Sequence, residues 1–197
     1  MKKILICAIP MTTNDKVIYE NGLSKENISV EPFYYPINAY LAENMTAEDE
    51  WKVILLVKRD REGRELVTEQ LFHEELAKVN KKIGAKITCK TISTKFEAIK
   101  RVHDHILGAL VEEIDDESEI YVDNTYAPKE LSVIIFAALN FSEKFLDCEI
   151  EHIFYLQEAS CKLVTMDALF SLQSLVSKAH SDSSEKARHL LKMIISL

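Results

Sequence analysis

Short continuous apolar runs alternate along this chain with longer segments whose apolar positions recur every three or four residues. Residues 4–9 form a β-rich run, and residues 51–57 an unbroken apolar one of the kind a parallel sheet buries on both faces. Further strands are expected at 86–92, 120–122, 149–156 and 162–165. Between them the spacing predicts helices. One within 32–45 is introduced by Pro36 and carries Ile37, Tyr40, Leu41 and Met45. The next, 66–83, carries Val67, Leu71, Leu76, Val79 and Ile83 and stops at Gly84, a C-terminal signal. Ser93 or Thr94 is the expected cap of a third, through Phe96, Ile99, Val102, Ile106 and Leu110. A strongly apolar helix follows Lys129, and two more close the chain near 167–179 and 184–195. The polar stretch 10–31, which contains Asn21-Gly22, predicts a long excursion without a regular element.

This alternation implies an α/β fold: a Rossmann-like, mostly parallel sheet with helices on both faces. Only Glu158, Ala159, Ser160 and their immediate neighbours separate the last two strands, so an antiparallel hairpin is expected at one edge. The length suits one domain, read as residues 1–180, with 181–197 as a C-terminal helix. That helix is apolar to its end (Ala187, Leu190, Leu191, Ile194, Ile195, Leu197), which predicts a dimer contact or a link to a missing effector domain. In such sheets ligands sit beyond the carboxyl ends of strands at a topological switch point. By that rule residues 9–15 and 123–129 are the loops to watch.

Charge narrows the partners. Lysine and arginine against aspartate and glutamate give 24 − 32 = −8, which argues against duplex DNA and leaves room for a local basic pocket. No apolar run reaches the ~20 residues that span a bilayer. The apolar start runs into Pro10 without a cleavage-like site, so it reads as a first strand and the chain as cytoplasmic. Cys7, Cys89, Cys148 and Cys161 form no C-x-x-C pair, so free thiols in a reducing compartment are expected, with no metal and no cofactor.

The candidate chemistry lies in Asp123-Asn124-Thr125-Tyr126-Ala127-Pro128-Lys129, a polar turn between a strand and a helix N-terminus. Unpaired N–H groups and the positive dipole end attract anions there. Pro128 fits the first helical turn, Thr125 offers a hydroxyl and Lys129 a cation. An ordinary strand-to-helix connection in an α/β fold would also start this way. Other motifs point elsewhere. His103 and His105 flank Asp104 at a spacing that splits them between helix faces. His73-Glu74-Glu75 lacks the second histidine of a zinc-protease helix, because Ala77 stands at its place. There is no phosphate-binding P-loop and no G-x-G-x-x-G. His152 reads as structural, and Trp51, Phe72 and Phe136 as core.

The segment from Asp123 to Lys129, with its following apolar helix (Val133, Ile134, Ile135, Phe136), resembles the motif of CARF domains, the CRISPR-associated Rossmann-fold sensors. In that family a strand ends in an acidic residue and a Thr-His-Gly-aromatic-Arg type turn leads into an apolar helix. A first strand ending in a Ser/Thr-rich loop (here Pro10, Met11, Thr12, Thr13, Asn14, Asp15) is similar too. So are the strand Glu151-His152-Ile153-Phe154-Tyr155 and a helix beginning near Met166-Asp167. The resemblance therefore extends over nearly the whole chain. It implies a two-fold dimer that binds a cyclic oligoadenylate second messenger of type III CRISPR antiviral defence and gates an effector.

Under that resemblance, N–H groups after Pro128 meet a phosphate, Lys129 neutralises it and Thr125 donates a hydrogen bond. Thr12, Thr13 and Asn14 contact ribose hydroxyls or an adenine edge, and Tyr34, Tyr35 and Tyr126 are candidates for stacking on adenine. A metal-independent ring nuclease is the alternative, with Lys129 and Thr12 or Thr13 assisting attack of a ribose 2′-hydroxyl. An unrelated α/β enzyme of nucleotide metabolism is a third reading. Two positions depart from the family pattern. Ala127 replaces the usual glycine, so a positive φ there would be strained, and Lys129 replaces arginine.

Overall fold

A computed structural model describes residues 2–12, 15–22, 24, 26–59, 66–94, 99–178 and 183–195. The chain divides into two compact units, Met1–Thr165 and Met166–Leu197. The first is an α/β unit built on one seven-stranded sheet of order β2-β7-β6-β5-β1-β3-β4. In chain order these strands are β1 (Lys3–Ile9), β2 (Glu20–Asn21), β3 (Glu50–Lys58), β4 (Lys86–Thr94), β5 (Glu119–Asp123), β6 (Glu149–Gln157) and β7 (Lys162–Thr165). Its helices are α1 (Pro36–Asn44), α2 (Val67–Ile83), α3 (Lys100–Glu113) and α4 (Lys129–Phe145). The second unit contains α5 (Asp167–Lys178) and α6 (Ser184–Ile195). No helix among the described residues is long and apolar enough to cross a membrane.

The five strands from β6 to β4 are parallel, as their apolar runs require. The expected edge hairpin is present, with β6 and β7 antiparallel and paired from Phe154↔Thr165 to Gln157↔Lys162. Alternation within the central strands feeds two layers. Leu5, Cys7, Ile9, Val53, Leu55 and Val57 join a cluster with Tyr35, Ile37 and Leu41 of the α1 region and Phe72, Leu76 and Val79 of α2. Their neighbours Ile4, Ile6, Ala8, Ile54 and Leu56 turn to the other face and are equally buried. Helices α1 and α2 pack together, as do α3 and α4. Each fully buried Ile or Leu contributes about 1.5–3 kcal/mol, so both faces of the central strands add to the fold's stability.

Gly84 ends α2 in the left-handed region (φ 87°), as its sequence position implied, with its N–H on Asn80 C=O at 2.7 Å. Two expectations need correcting. Ser93 and Thr94 belong to β4 and do not cap a helix; α3 begins at Lys100, after residues 95–98 (including Phe96), which lie outside the described residues. The stretch 10–31 also holds a short strand. Glu20–Asn21 docks on β7, and the next residue, Gly22, donates its N–H to Leu163 C=O at 2.8 Å. Hydropathy gave no sign of it because, of the described apolar residues in that stretch, only Tyr19 is buried, with Val17 and Ile28 half-buried against the core.

Candidate functional site

The switch point of the sheet lies between β1 and β5. From β1 the chain steps outward through β3 to β4, and from β5 it steps the other way to β6. The register Cys7↔Asp123 sets the carboxyl ends of these two strands side by side, about 4.8 Å apart. The two loops singled out by sequence therefore leave the sheet next to each other. On the β1 side Pro10 is half-buried, while Met11 and Thr12 are exposed. Thr13 and Asn14 lie outside the described residues.

On the β5 side the turn is built from Asp123 outward. Its carboxylate is fully buried; Oδ1 accepts the Thr125 N–H at 3.0 Å, and Oδ2 faces the Cys7 thiol at 3.9 Å. Burial raises its pKa to about 6, although hydrogen bonds from the Thr125 hydroxyl, the Thr125 N–H and the Cys7 thiol pull the other way. Burial also pushes the Cys7 thiol well up, with Asp123 adding to the effect, so Cys7 stays a protonated donor. The Thr125 oxygen also accepts the Leu156 N–H at 3.1 Å. That hydroxyl thus joins the turn to β6, and its proton serves Asp123. This revises the expectation that Thr125 donates to a phosphate.

Two further bonds close the turn: Asn124 N–H to Phe154 C=O at 2.9 Å, and Ala127 N–H to Asn124 C=O at 3.4 Å. Ala127 is not among the positive-φ residues, so its methyl group causes no strain. Pro128 is the N-cap of α4, one position before the first helical residue, where its missing N–H is again no loss. No side chain caps this helix, and the first helical bond is Ser132 N–H to Pro128 C=O at 3.0 Å. The N–H groups of Lys129, Glu130 and Leu131 consequently have no partner among the described residues. Lys129 is exposed and makes no ion pair among them.

Of the three tyrosines expected as stacking candidates, one lies in the core. Tyr35 is a core residue: its hydroxyl donates to Thr68 C=O at 2.6 Å, and its ring meets Phe72 edge-on at 5.1 Å. Tyr126 is half-buried, edge-on to Tyr35 at 6.3 Å and hydrogen-bonded to the Tyr19 hydroxyl. It anchors the turn from below. The Lys16 ammonium lies 4.7 Å from the centre of the half-buried Tyr34 ring.

Several of the other singled-out residues have structural partners. Glu75 accepts the N–H groups of Tyr34 (2.8 Å) and Tyr35 (3.2 Å) and the Asn38 amide (3.1 Å), capping α1 from a neighbouring helix. Asp104 pairs with Lys100 at 3.4 Å on the surface of α3. His152 sits among Tyr40, Tyr121 and Phe154. No group of three or more metal-ligating side chains occurs among the described residues. A cavity of about 210 Å³ lies away from the switch point, lined by the 29–33 segment, α1 and α2. Its Lys78 and Lys82 share the carboxylate of Glu31, at 4.0 and 3.0 Å, and Glu43 and Glu75 also line it.

The role of Cys7 and the tie to Leu156 escaped the sequence reading. Asp followed two residues later by Thr after a strand is an Asx-turn pattern, and that signal could have shown where the Asp123 carboxylate goes. No family model and no curated protein matches this chain.

Proposed function

We propose that this chain is a CARF-like sensor domain that binds a cyclic oligoadenylate in type III CRISPR antiviral defence and gates an effector. In this reading two copies meet around the ring and each supplies a half-site. The observation that supports it best is the meeting of two strand-end loops at the switch point, where three unpartnered N–H groups of α4 and the exposed Lys129 offer an anion site. Binding is favoured over cleavage. Among the described site residues, Lys129 is the cation, Asp123 is buried, and the Thr125 hydroxyl is engaged on both its lone-pair and proton sides.

Titration calorimetry with cyclic tetra- and hexa-adenylate, followed by mass spectrometry of the mixtures, tests the reading. A bound ring recovered intact is expected, with Lys129→Ala weakening the complex about tenfold to a hundredfold. Linear products ending in 2′,3′-cyclic phosphate would establish a ring nuclease instead. Absence of binding to either ring would refute the sensor reading and favour an unrelated α/β enzyme.

A further inference from the structure

The cavity between the 29–33 segment, α1 and α2 has no part in the strand-end site. Its volume of about 210 Å³ matches about seven water molecules, so it holds a ligand body of a few heavy atoms and is too small for a nucleotide. The floor is apolar: Phe33 and Val79 are buried, Ala42 and Ile83 half-buried. Val30 also lines the cavity and is 88 % exposed, an apolar side chain facing water over most of its surface.

The rim carries three ammonium groups, those of Lys16, Lys78 and Lys82. Glu31 faces them, 3.0 Å from Lys82 and 4.0 Å from Lys78. The Lys82 hydrogen bond and charge, then the charges of Lys78 and Lys16, hold its carboxyl below the ordinary value. Glu75 is buried and already accepts three N–H donors, from Tyr34, Tyr35 and Asn38. With Glu31 turned away, the lining sets three ammonium groups against Glu43 and this already bonded carboxylate. The side chains of Glu31, Lys78 and Lys82 are 52, 68 and 62 % exposed, and ion pairs as exposed as these add little to stability. A carboxylate from outside can therefore exchange for that of Glu31 at small cost. The apolar floor and Val30 supply the gain, because a ligand body seated there takes their surface out of water.

We propose that this cavity binds a small monocarboxylate with an apolar body, whose carboxylate replaces that of Glu31 between Lys78 and Lys82. Glu31 is then an internal competitor, and its carboxylate shows the head group that these ammonium groups accept. The volume sets the apolar body at about five or six carbons. The assignment does not rest on the cyclic-oligoadenylate reading.

The full chain, labelled with ¹⁵N, is titrated with hexanoate, with acetate and with hexan-1-ol while the amide signals of Val30, Glu31, Lys78 and Lys82 are followed. Hexanoate is expected to give saturable shifts, and acetate (no apolar body) and hexan-1-ol (no charge) to bind at least about fivefold more weakly. Lys82→Gln is expected to weaken hexanoate binding about threefold to tenfold, and Glu31→Gln to strengthen it about twofold to fivefold. The opposite signs matter, because a glutamate that only holds the 29–33 segment in place would not improve binding when neutralised. Absence of saturable shifts with hexanoate overturns the proposal, as does binding of hexan-1-ol or acetate as tight as that of hexanoate. A Glu31→Gln chain that binds hexanoate no more tightly than the wild type overturns it as well.

Discussion

Asp123 carries the fold's largest electrostatic liability at its candidate site, and replacing it with asparagine measures that liability. The carboxylate is fully buried, with a pKa of about 6 against an ordinary value of 3.8. The folded chain therefore holds this proton more tightly than the unfolded chain. Its contribution to stability is fully present below about pH 4 and is lost as pH rises toward 6. A separation of about two pH units, at about 1.4 kcal/mol each, amounts to about 3 kcal/mol. The amide introduced by Asp123→Asn has no charge to desolvate. Urea denaturation of both proteins at pH 4, 5, 6 and 7, followed by circular dichroism, gives the stability difference at each pH. The prediction is that this difference moves by about 3 kcal/mol in favour of Asp123→Asn between pH 4 and 7, and is flat above. Carboxylates held low by lysine hydrogen bonds, such as Glu31 with Lys82 and Glu113 with Lys90, titrate in both proteins and cancel. Parallel stability curves would refute the reasoning, for they would mean that Asp123 stays ionised at no cost.

Three further substitutions test what shapes the turn and its surroundings. Thr125→Val removes the acceptor for the Leu156 N–H and a donor to Asp123, so a loss of about 1–3 kcal/mol is expected, with faster hydrogen exchange at Leu156. Glu75→Gln presents an amide N–H toward the donors of Tyr34, Tyr35 and Asn38; a loss of about 1–2 kcal/mol in chemical denaturation is expected, and an unchanged midpoint would show that the cap is dispensable. Gly22→Ala places a methyl group 2.4 Å from Val164 Cγ1 and 3.1 Å from Leu163 C=O, so a loss of about 1–3 kcal/mol is expected, read as a lower melting temperature.

Much of this fold was legible because hydrophobic period and burial coincide. The run at 51–57 became the buried β3, and the α2 pattern stopped at Gly84 as its residue type demands. The hairpin followed from two β-rich runs too close together for a crossover. The elements that were misread lack such a signal. Glu20–Asn21 forms a strand through backbone pairing with β7 and with residues 26–27, which leaves no trace in hydropathy. The start of α3 was placed on Ser93-Thr94 because hydroxyl residues favour caps, yet threonine is also a good strand former and β4 claims both residues. Tyr34 and Tyr35 looked alike in sequence. Only the chain's entry into α1 turns Tyr35 inward onto Thr68.

The candidate site was legible in position and less so in the division of labour. Residue type placed a carboxylate, a hydroxyl and a cation in one turn; it did not say which would face outward. The structure turns Asp123, Thr125 and Tyr126 inward, toward Cys7, Leu156 and Tyr19 respectively. Their polar groups are used to hold the backbone, so what the turn presents is backbone N–H and the Lys129 ammonium. An arrangement of this kind suits an anionic group such as a phosphate. For the same reason, substitutions at Asp123 or Thr125 would act on ligand affinity through the turn's geometry and would change stability in parallel. Lys129, exposed and outside the turn's hydrogen bonds, is the position where affinity and stability should separate.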